Sequence, residues 1–301
     1  MKKKVLIIGS TGMLGSAVIN QFILNKKINL SATYREKKDL NILKKILNFK
    51  KPRVKWIKFS IKGNYEKKLK KILKNKDYII NCTGIIKPYI NEKKFKSIKE
   101  AILINSIFPH NLNNLKEKNT KILQIATDCV YDGKEGFYKE SFSHNATDVY
   151  GKSKSLGEVD SENFFNIRCS IIGKEIKGFK SLVNWFLSNK KNSNLNGFSN
   201  HLWNGVTTNF FAKFLLILII KNVKIPNLIH LTPSNYVNKY ELLKIFAEKL
   251  QRVDLQITKS KSTNKVNRVI ITKHKKLIQK ISNYMGFKSI PSVKKIIDET
   301  L

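Results

Sequence analysis

The stretch Val5-Leu6-Ile7-Ile8-Gly9-Ser10-Thr11-Gly12-Met13-Leu14-Gly15 decides how the rest of the chain is read. Four apolar residues run directly into three glycines spaced G-x-x-G-x-x-G, and Ser16 to Leu24 then carries apolar residues at helical intervals. A strand that passes through a glycine turn into a helix is suited to a dinucleotide. The glycines permit a tight turn, close approach to a pyrophosphate and close packing of helix on strand, while the first N–H groups of the helix face the anion. Gly9, Thr11, Gly12, Met13, Leu14 and Gly15 are therefore candidate cofactor contacts.

Outward from this unit, short apolar runs alternate with longer amphipathic ones. Ser31–Tyr34, Trp56–Phe59, Tyr78–Asn81, Ile122–Ala126 and Phe165–Arg168 read as strands, and Ile98–Leu115 reads as a helix between two of them. Repeated strand, helix, strand needs right-handed crossovers, so the expected class is α/β, a Rossmann-type doubly wound parallel sheet. After about residue 170 the alternation loses regularity. Gly173, Gly178, Gly197 and Gly205 punctuate it, and helical patterns fall at Ser181–Asn189, Asn209–Ile220 and Lys239–Leu250. The expected division is a dinucleotide-binding domain over 1–170 and a smaller, mainly C-terminal α/β substrate-binding region over 171–301. The second region covers the mouth of the first and can return strands and helices to it.

Composition narrows the function classes. With 301 residues and 42% hydrophobic content the chain can bury a substantial core, and 58 basic residues against 21 acidic ones give a formal charge of +37. The arginines are few (Arg35, Arg53, Arg168, Arg252, Arg268), so the charge is almost all lysine, and it is spread along the chain. Nucleic-acid readers concentrate charge and use arginine for bidentate contacts, so no specific nucleic-acid partner is expected. The Lys-rich stretches 44–76 and 259–280 read as solvated surface. Cys82, Cys129 and Cys169 show no paired spacing and the histidines are scattered, which implies free thiols and no metal site. The glycines at 9 and 12 interrupt the first apolar run too early for a leader, and Phe214 to Ile220 falls far short of the about 20 residues that span a bilayer. A cytoplasmic protein without a membrane partner is expected.

Three further positions carry chemistry. About 20 residues past the glycines, the residue ending the second strand selects the cofactor, and Arg35 there suits the 2′-phosphate of NADP better than the 2′-hydroxyl of NAD. Glu36 keeps NADH possible. Tyr150 and Lys154 lie four apart, on one face of an expected helix. A lysine cation beside a phenol of ordinary pKa about 10 would bring it towards the working range. Thr127 ends the strand Ile122–Ala126, where catalytic groups of open α/β sheets gather, and can hydrogen-bond a substrate carbonyl.

Taken together, Gly9/Gly12/Gly15, Asn81-Cys82-Thr83-Gly84, Asn105, Ala126 to Gly133, Val149 to Lys154 and Asn166 to Ser170 resemble the extended short-chain dehydrogenase/reductase superfamily, and within it the dTDP-4-dehydrorhamnose reductases and related sugar-nucleotide reductases. The resemblance covers the first 175 or so residues well and the remainder loosely. It implies that Tyr150 donates a proton, that Lys154 adjusts its pKa and holds the nicotinamide ribose, and that Thr127 partners the carbonyl. It also implies that Asn81, Thr83, Gly84 and Asn105 line the cofactor site and that Asn166 to Ser170 lies near the nicotinamide. Asn81 as a strand-end turn residue and Asn105 as a helix-face residue are the structural alternatives.

The implied reaction is NADPH-dependent reduction of the C4 keto group of a nucleotide-linked 4-keto-6-deoxy sugar for surface polysaccharide synthesis. Asp128 and Trp203 become candidate substrate contacts, lysines of no assigned position meet the substrate diphosphate, and a homodimer is possible. Related dehydratases carry Thr-Asp-Glu where this chain has Thr127-Asp128-Cys129, and epimerases commonly carry Ser-Ser-Ala, so both are disfavoured alternatives. A noncatalytic NADP-binding subunit, like the regulatory partner of methionine adenosyltransferase, is the alternative from another class.

Overall fold

The computed structural model describes residues 1–47 and 54–301. Part of the Lys-rich stretch at 44–76, with Arg53, lies outside the described residues. Strands β1 (Lys3–Ile8), β2 (Ile28–Tyr34), β3 (Val54–Lys58), β4 (Tyr78–Asn81), β5 (Lys121–Thr127) and β6 (Phe164–Cys169) alternate with helices. These helices are α1 (Met13–Phe22), α2 (Lys37–Leu47), α3 (Glu66–Leu73), α4 (Phe95–Ile102), α5 (Phe108–Leu115) and α6 (Val149–Leu156). All six strands, with an edge strand at Leu228–His230, form one parallel sheet ordered Leu228–His230, β6, β5, β4, β1, β2, β3. The order reverses between β1 and β4, which opens a crevice above the carboxyl ends of the strands.

The unbroken apolar run in β1 follows from burial on both sides. Val5 and Ile7 enter one core with Val18, Phe22, Phe211, Phe214 and Ile229. Leu6 and Ile8 enter the opposite core with Leu69, Leu73, Phe108, Leu112 and Phe164. Helix α7 (Leu182–Ser188) follows β6 and opens the later half. Helix α8 (Thr208–Ile220), capped by Thr207, is buried on nearly every side because it packs on α1 beneath the sheet. The later half thus returns a helix and the strand Leu228–His230 to the first unit. A separate core joins α7, α9 (Lys239–Lys249), α10 (Val293–Thr300) and the parallel strands Asn194–Phe198 and Gln256–Ser260 through Val183, Phe186, Leu243, Phe246, Val293 and Ile297.

The helix expected over 98–115 is α4 and α5 joined by a π turn at Leu103–Ile107. Pro109 offers no N–H to the carbonyl of Asn105 four residues back, and the wider turn accommodates that gap. The freed carbonyl faces Gly157, where an added Cβ would stand 1.8 Å from it.

The largest fully buried side chain is Arg168, on β6. Its guanidinium takes both oxygens of Glu158 (2.7 and 2.6 Å) and donates to the Tyr131 hydroxyl (2.6 Å), His144 Nε2 (2.6 Å) and His230 Nε2 (3.0 Å). A cation can donate only to unprotonated ring nitrogens, so both histidines are neutral, with Nδ1–H on the Ser155 hydroxyl and the Ile271 carbonyl. Burial lowers both histidine pKa values, with Arg168 adding and Glu158 opposing; Glu140 also opposes at His230. The unfolded chain therefore binds protons at these sites before the folded one does. Stability should be at its plateau above about pH 7 and decline as the pH falls through the ordinary histidine value of about 6.5. Denaturant midpoints measured from pH 8 to 5 check this, and a flat profile would contradict it.

Candidate active site

At the carboxyl end of β1, Gly9 adopts φ +82°, a conformation that favours glycine. Its N–H donates to Thr33 Oγ1 (3.1 Å), and the Ser10 hydroxyl donates to the Thr33 carbonyl (2.7 Å), which ties the turn to β2. A Cβ on Gly15 would lie 2.1 Å from the Gly9 carbonyl oxygen, so α1 can rest on the turn only through a glycine. Gly12 caps α1 without any side-chain hydrogen bond, and a Cβ there would meet only the Gly9 oxygen at 3.4 Å. The first N–H groups of α1, from Met13 onward, have no helical acceptor, and the turn leaves them as a cradle that fits an anion. Thr11 is buried at the turn, and the Leu14 side chain goes into the core. Arg35 is exposed at the end of β2 and makes no ion pair among the described residues.

After β4, Asn81 is almost wholly buried. Its amide donates to Gln124 Oε1 (2.7 Å), and its oxygen accepts from the Thr83 N–H (3.1 Å) and hydroxyl (2.6 Å). Asn105 clamps the main chain of Ile85 on both sides (2.8 and 3.0 Å) and donates to the Ser153 hydroxyl (3.1 Å) on α6. Both amides are committed within the protein, where they shape the rim that carries half-buried Thr83 and exposed Gly84.

Thr127 ends β5, and its hydroxyl accepts from the Cys129 N–H (3.2 Å) and donates to Asp128 Oδ1 (3.2 Å). Helix α6 brings Tyr150 against it. Burial pushes the phenol pKa up, Cys129 adds to the rise, and the neighbouring Thr127 hydroxyl opposes it. Lys154, one turn on, is buried and donates to the Ile125 carbonyl of β5 (2.8 Å), and burial lowers its pKa to about 8. The expected lowering of the phenol by Lys154 is not among the leading influences on Tyr150, because the ammonium is turned onto that carbonyl. Tyr150, held protonated, thus lies against Thr127 at the end of β5, two strand positions from the glycine turn, with Lys154 one turn further along α6.

Asp128 is also buried; burial raises its pKa while Arg268 opposes, and Oδ2 has no partner among the described residues. Burial lifts the Cys129 thiol to about 12. Trp203 is half-buried and donates to the Ser170 hydroxyl (2.6 Å), with Gly205 beneath its ring. Of Asn166 to Ser170, Asn166 and Arg168 turn into the protein interior, and Ser170 meets Trp203. No group of His, Cys, Asp and Glu suited to a metal ion occurs among the described residues, and no described helix is long and apolar enough to cross a membrane.

Sequence reasoning missed two residues here. Gly151 lets α6 rest on β5: an added Cβ would fall 2.3 Å from the Cys129 carbonyl oxygen and 2.4 Å from Ala146 Cβ. The glycine after Tyr150 was the available signal. Arg268 comes from the far end of the chain, donates to the carbonyls of Tyr131 (2.7 Å) and Asp132 (3.4 Å), and lies close enough to oppose the rise that burial causes at Asp128 and Cys129. Nothing local to it marks that destination.

The family model described as RmlD substrate binding domain matches residues 2–271. A dTDP-4-dehydrorhamnose reductase of Aggregatibacter actinomycetemcomitans is 35% identical over 95 residues, which covers 28% of this chain and 32% of that protein. The chain therefore matches about a third of this curated relative's length. The solved dTDP-4-dehydrorhamnose reductase of Bacillus anthracis, in complex with NADP, aligns over 100% of this chain and 99% of its own at TM-score 0.71 and 17% identity. The dTDP-glucose 4,6-dehydratase of the same organism, in complex with NAD, aligns over 99% and 95% at TM-score 0.72 and 16% identity. At these identities the likeness to the solved structures is one of fold.

Because Gly151 lies against main chain, Gly151→Ala should destabilise the protein by about 1–3 kcal/mol through overpacking. Chemical denaturation measures this, and an unchanged midpoint would mean that α6 shifts freely.

Proposed function

The chain belongs to the RmlD substrate binding domain family, and from that membership we propose that it is an NADPH-dependent reductase of the C4 keto group of a nucleotide-linked 4-keto-6-deoxy sugar. The observation that carries this reading is the contact of Tyr150 with Thr127 at the end of β5, with Lys154 one turn on along α6, in a sheet whose first strand runs through a glycine turn into a helix without a side-chain cap. The cradle at Gly9 to Gly15 would hold the pyrophosphate, and exposed Arg35 would receive a 2′-phosphate, with NADH the lesser alternative. When bound, the reduced nicotinamide supplies hydride to the C4 carbonyl carbon.

The chain supplies the proton and the geometry. Tyr150, kept neutral by burial, donates its phenolic proton to the C4 oxygen, and Thr127, on turning its single hydroxyl proton away from Asp128, donates a second hydrogen bond to the same atom. Lys154 braces the helix on β5 and, with a pKa about 8, carries a positive charge for most of its time at pH 7. Asp128, whose Oδ2 has no partner among the described residues, would meet a sugar hydroxyl, and Trp203 would lie against the sugar or base.

A dehydratase needs a second acid or base where Cys129 stands, and a thiol lifted to about 12 is neutral and a poor substitute. An intact Thr127, Tyr150 and Lys154 set disfavours a noncatalytic subunit. We place the cofactor site in 1–170 and the substrate site between it and 171–301, in a cytoplasmic protein that serves surface polysaccharide synthesis and can form a homodimer.

With NADPH and dTDP-4-keto-6-deoxy sugars, the absorbance of the reduced nicotinamide should fall, and Tyr150→Phe should slow this by about 100-fold to 10,000-fold with cofactor binding retained. Unchanged turnover in Tyr150→Phe would remove the phenol from the mechanism. Arg35→Asp should move the preference from NADPH towards NADH. An unchanged ratio of the two kcat/KM values would assign the 2′-phosphate to another group.

A further inference from the structure

The segment 173–180 leaves the carboxyl end of β6, yet its tip reaches helix α2, which follows β2. Between β6 and β2 lie β5, β4 and β1, so the segment crosses four strand spacings, about 19 Å, over the open edge of the sheet. Both ends of the segment are pinned. The Ser181 hydroxyl donates to the Gly173 carbonyl (3.0 Å), the Ser181 N–H to Glu175 (2.7 Å), and the Glu175 N–H to Asn184 (2.8 Å). Midway, Gly178 at φ +87° lies against Tyr89, where an added Cβ would fall 2.0 Å from the hydroxyl. Lys180 stands 4.7 Å over the Tyr89 ring and donates to the Pro88 carbonyl (3.3 Å). At the tip, Lys177 forms an ion pair with Asp39. A dinucleotide stretched from Tyr150 above β5 to Arg35 at β2 would have to run beneath this segment.

Asp39 is only 3% exposed and sits in the first turn of α2, four residues after Arg35. A buried carboxylate is costly unless paired. At this place it also sets a negative charge close to where Arg35 would receive a phosphate, an unfavourable neighbour for a 2′-phosphate and a tolerable one for a 2′-hydroxyl. Lys177, with its side chain 39% exposed, offsets that carboxylate from the opposite side of the crevice.

On the reading of Arg35 as the 2′-phosphate ligand, we propose that 173–180 is a strap closing over the bound dinucleotide, and that the Lys177–Asp39 pair at its tip determines preference for the phosphorylated form. Lys177 acts by cancelling Asp39, so the pair adds no net charge beside Arg35 and its exposed neighbours Glu36, Lys37 and Lys38.

Fluorescence titration of the full chain with NADPH and with NADH tests this. Lys177→Met should weaken NADPH by about tenfold or more and leave NADH within about twofold. Lys177→Met combined with Asp39→Asn removes both charges, should fold without a buried unpaired carboxylate, and should return NADPH affinity to within about threefold of the parent. In the parent, NADPH should also slow trypsin cleavage after Lys174 and Lys180. Equal weakening of both cofactors in Lys177→Met, no change in either, no recovery in the double variant, or cleavage indifferent to NADPH would each overturn the proposal. A parent protein that binds NADH but not NADPH would instead sink the reading of Arg35, and this inference with it.

Discussion

Everything at the candidate site depends on how closely helix α6 lies on the end of strand β5. That approach places Tyr150 beside Thr127, and it is possible only because Gly151 has no side chain to meet the Cys129 carbonyl. It is fastened by main chain and short polar groups: Asp148 caps the helix at the Gly151 N–H (2.8 Å), Lys154 donates to Ile125, and Ser106 donates to the Ser153 carbonyl (2.7 Å). Such contacts are short-ranged and directional, so a small shift in the helix would separate the phenol from the threonine.

The same loop is held from behind by the last third of the chain. Asn267 donates its N–H to the Gly133 carbonyl (2.6 Å) and fills the space that a Cβ on Gly136 would occupy, while Arg268 takes the Tyr131 carbonyl. Beneath, Arg168 gathers Glu158 from just past α6, Tyr131 and His144 from the loop, and His230 from the edge strand. Removing one partner from such a set leaves a buried charge or dipole uncompensated, which ties the later half of the chain to the loop after β5 more firmly than apolar packing alone would. Charge is therefore handled in two ways. Most of the +37 is exposed lysine, screened by salt, whereas Arg168 and Asp128 act at short range in dry surroundings, and half-buried Arg268 and the Lys177–Asp39 pair act at short range nearer the surface.

Much of this was legible in order along the chain. The glycine turn, six of the seven strands of the main sheet and the Tyr150, Lys154 and Thr127 positions are all local patterns: a period, a spacing, or a residue at a strand end. Local patterns announce themselves because hydrogen-bonding geometry and glycine's conformational freedom act over a few residues. Asn105 shows where that fails. Its place on a helix was readable, but its commitment to the Ile85 main chain and to Ser153 depends on a π turn forced by Pro109 and on where α6 comes to rest.

The sequence by itself determined a parallel α/β sheet, a glycine turn between its first strand and first helix, and a threonine at the end of β5 with a tyrosine and a lysine one turn apart on α6, because each follows from short-range stereochemistry. Only the tertiary structure decided that Lys154 turns onto Ile125, that Arg168 is a buried brace, that Arg268 reaches the loop after β5, and that Lys177 finds Asp39 across the sheet. Those pairings join residues up to well over a hundred positions apart, and the electrostatic energy that selects them exists only once folding has excluded water from between them.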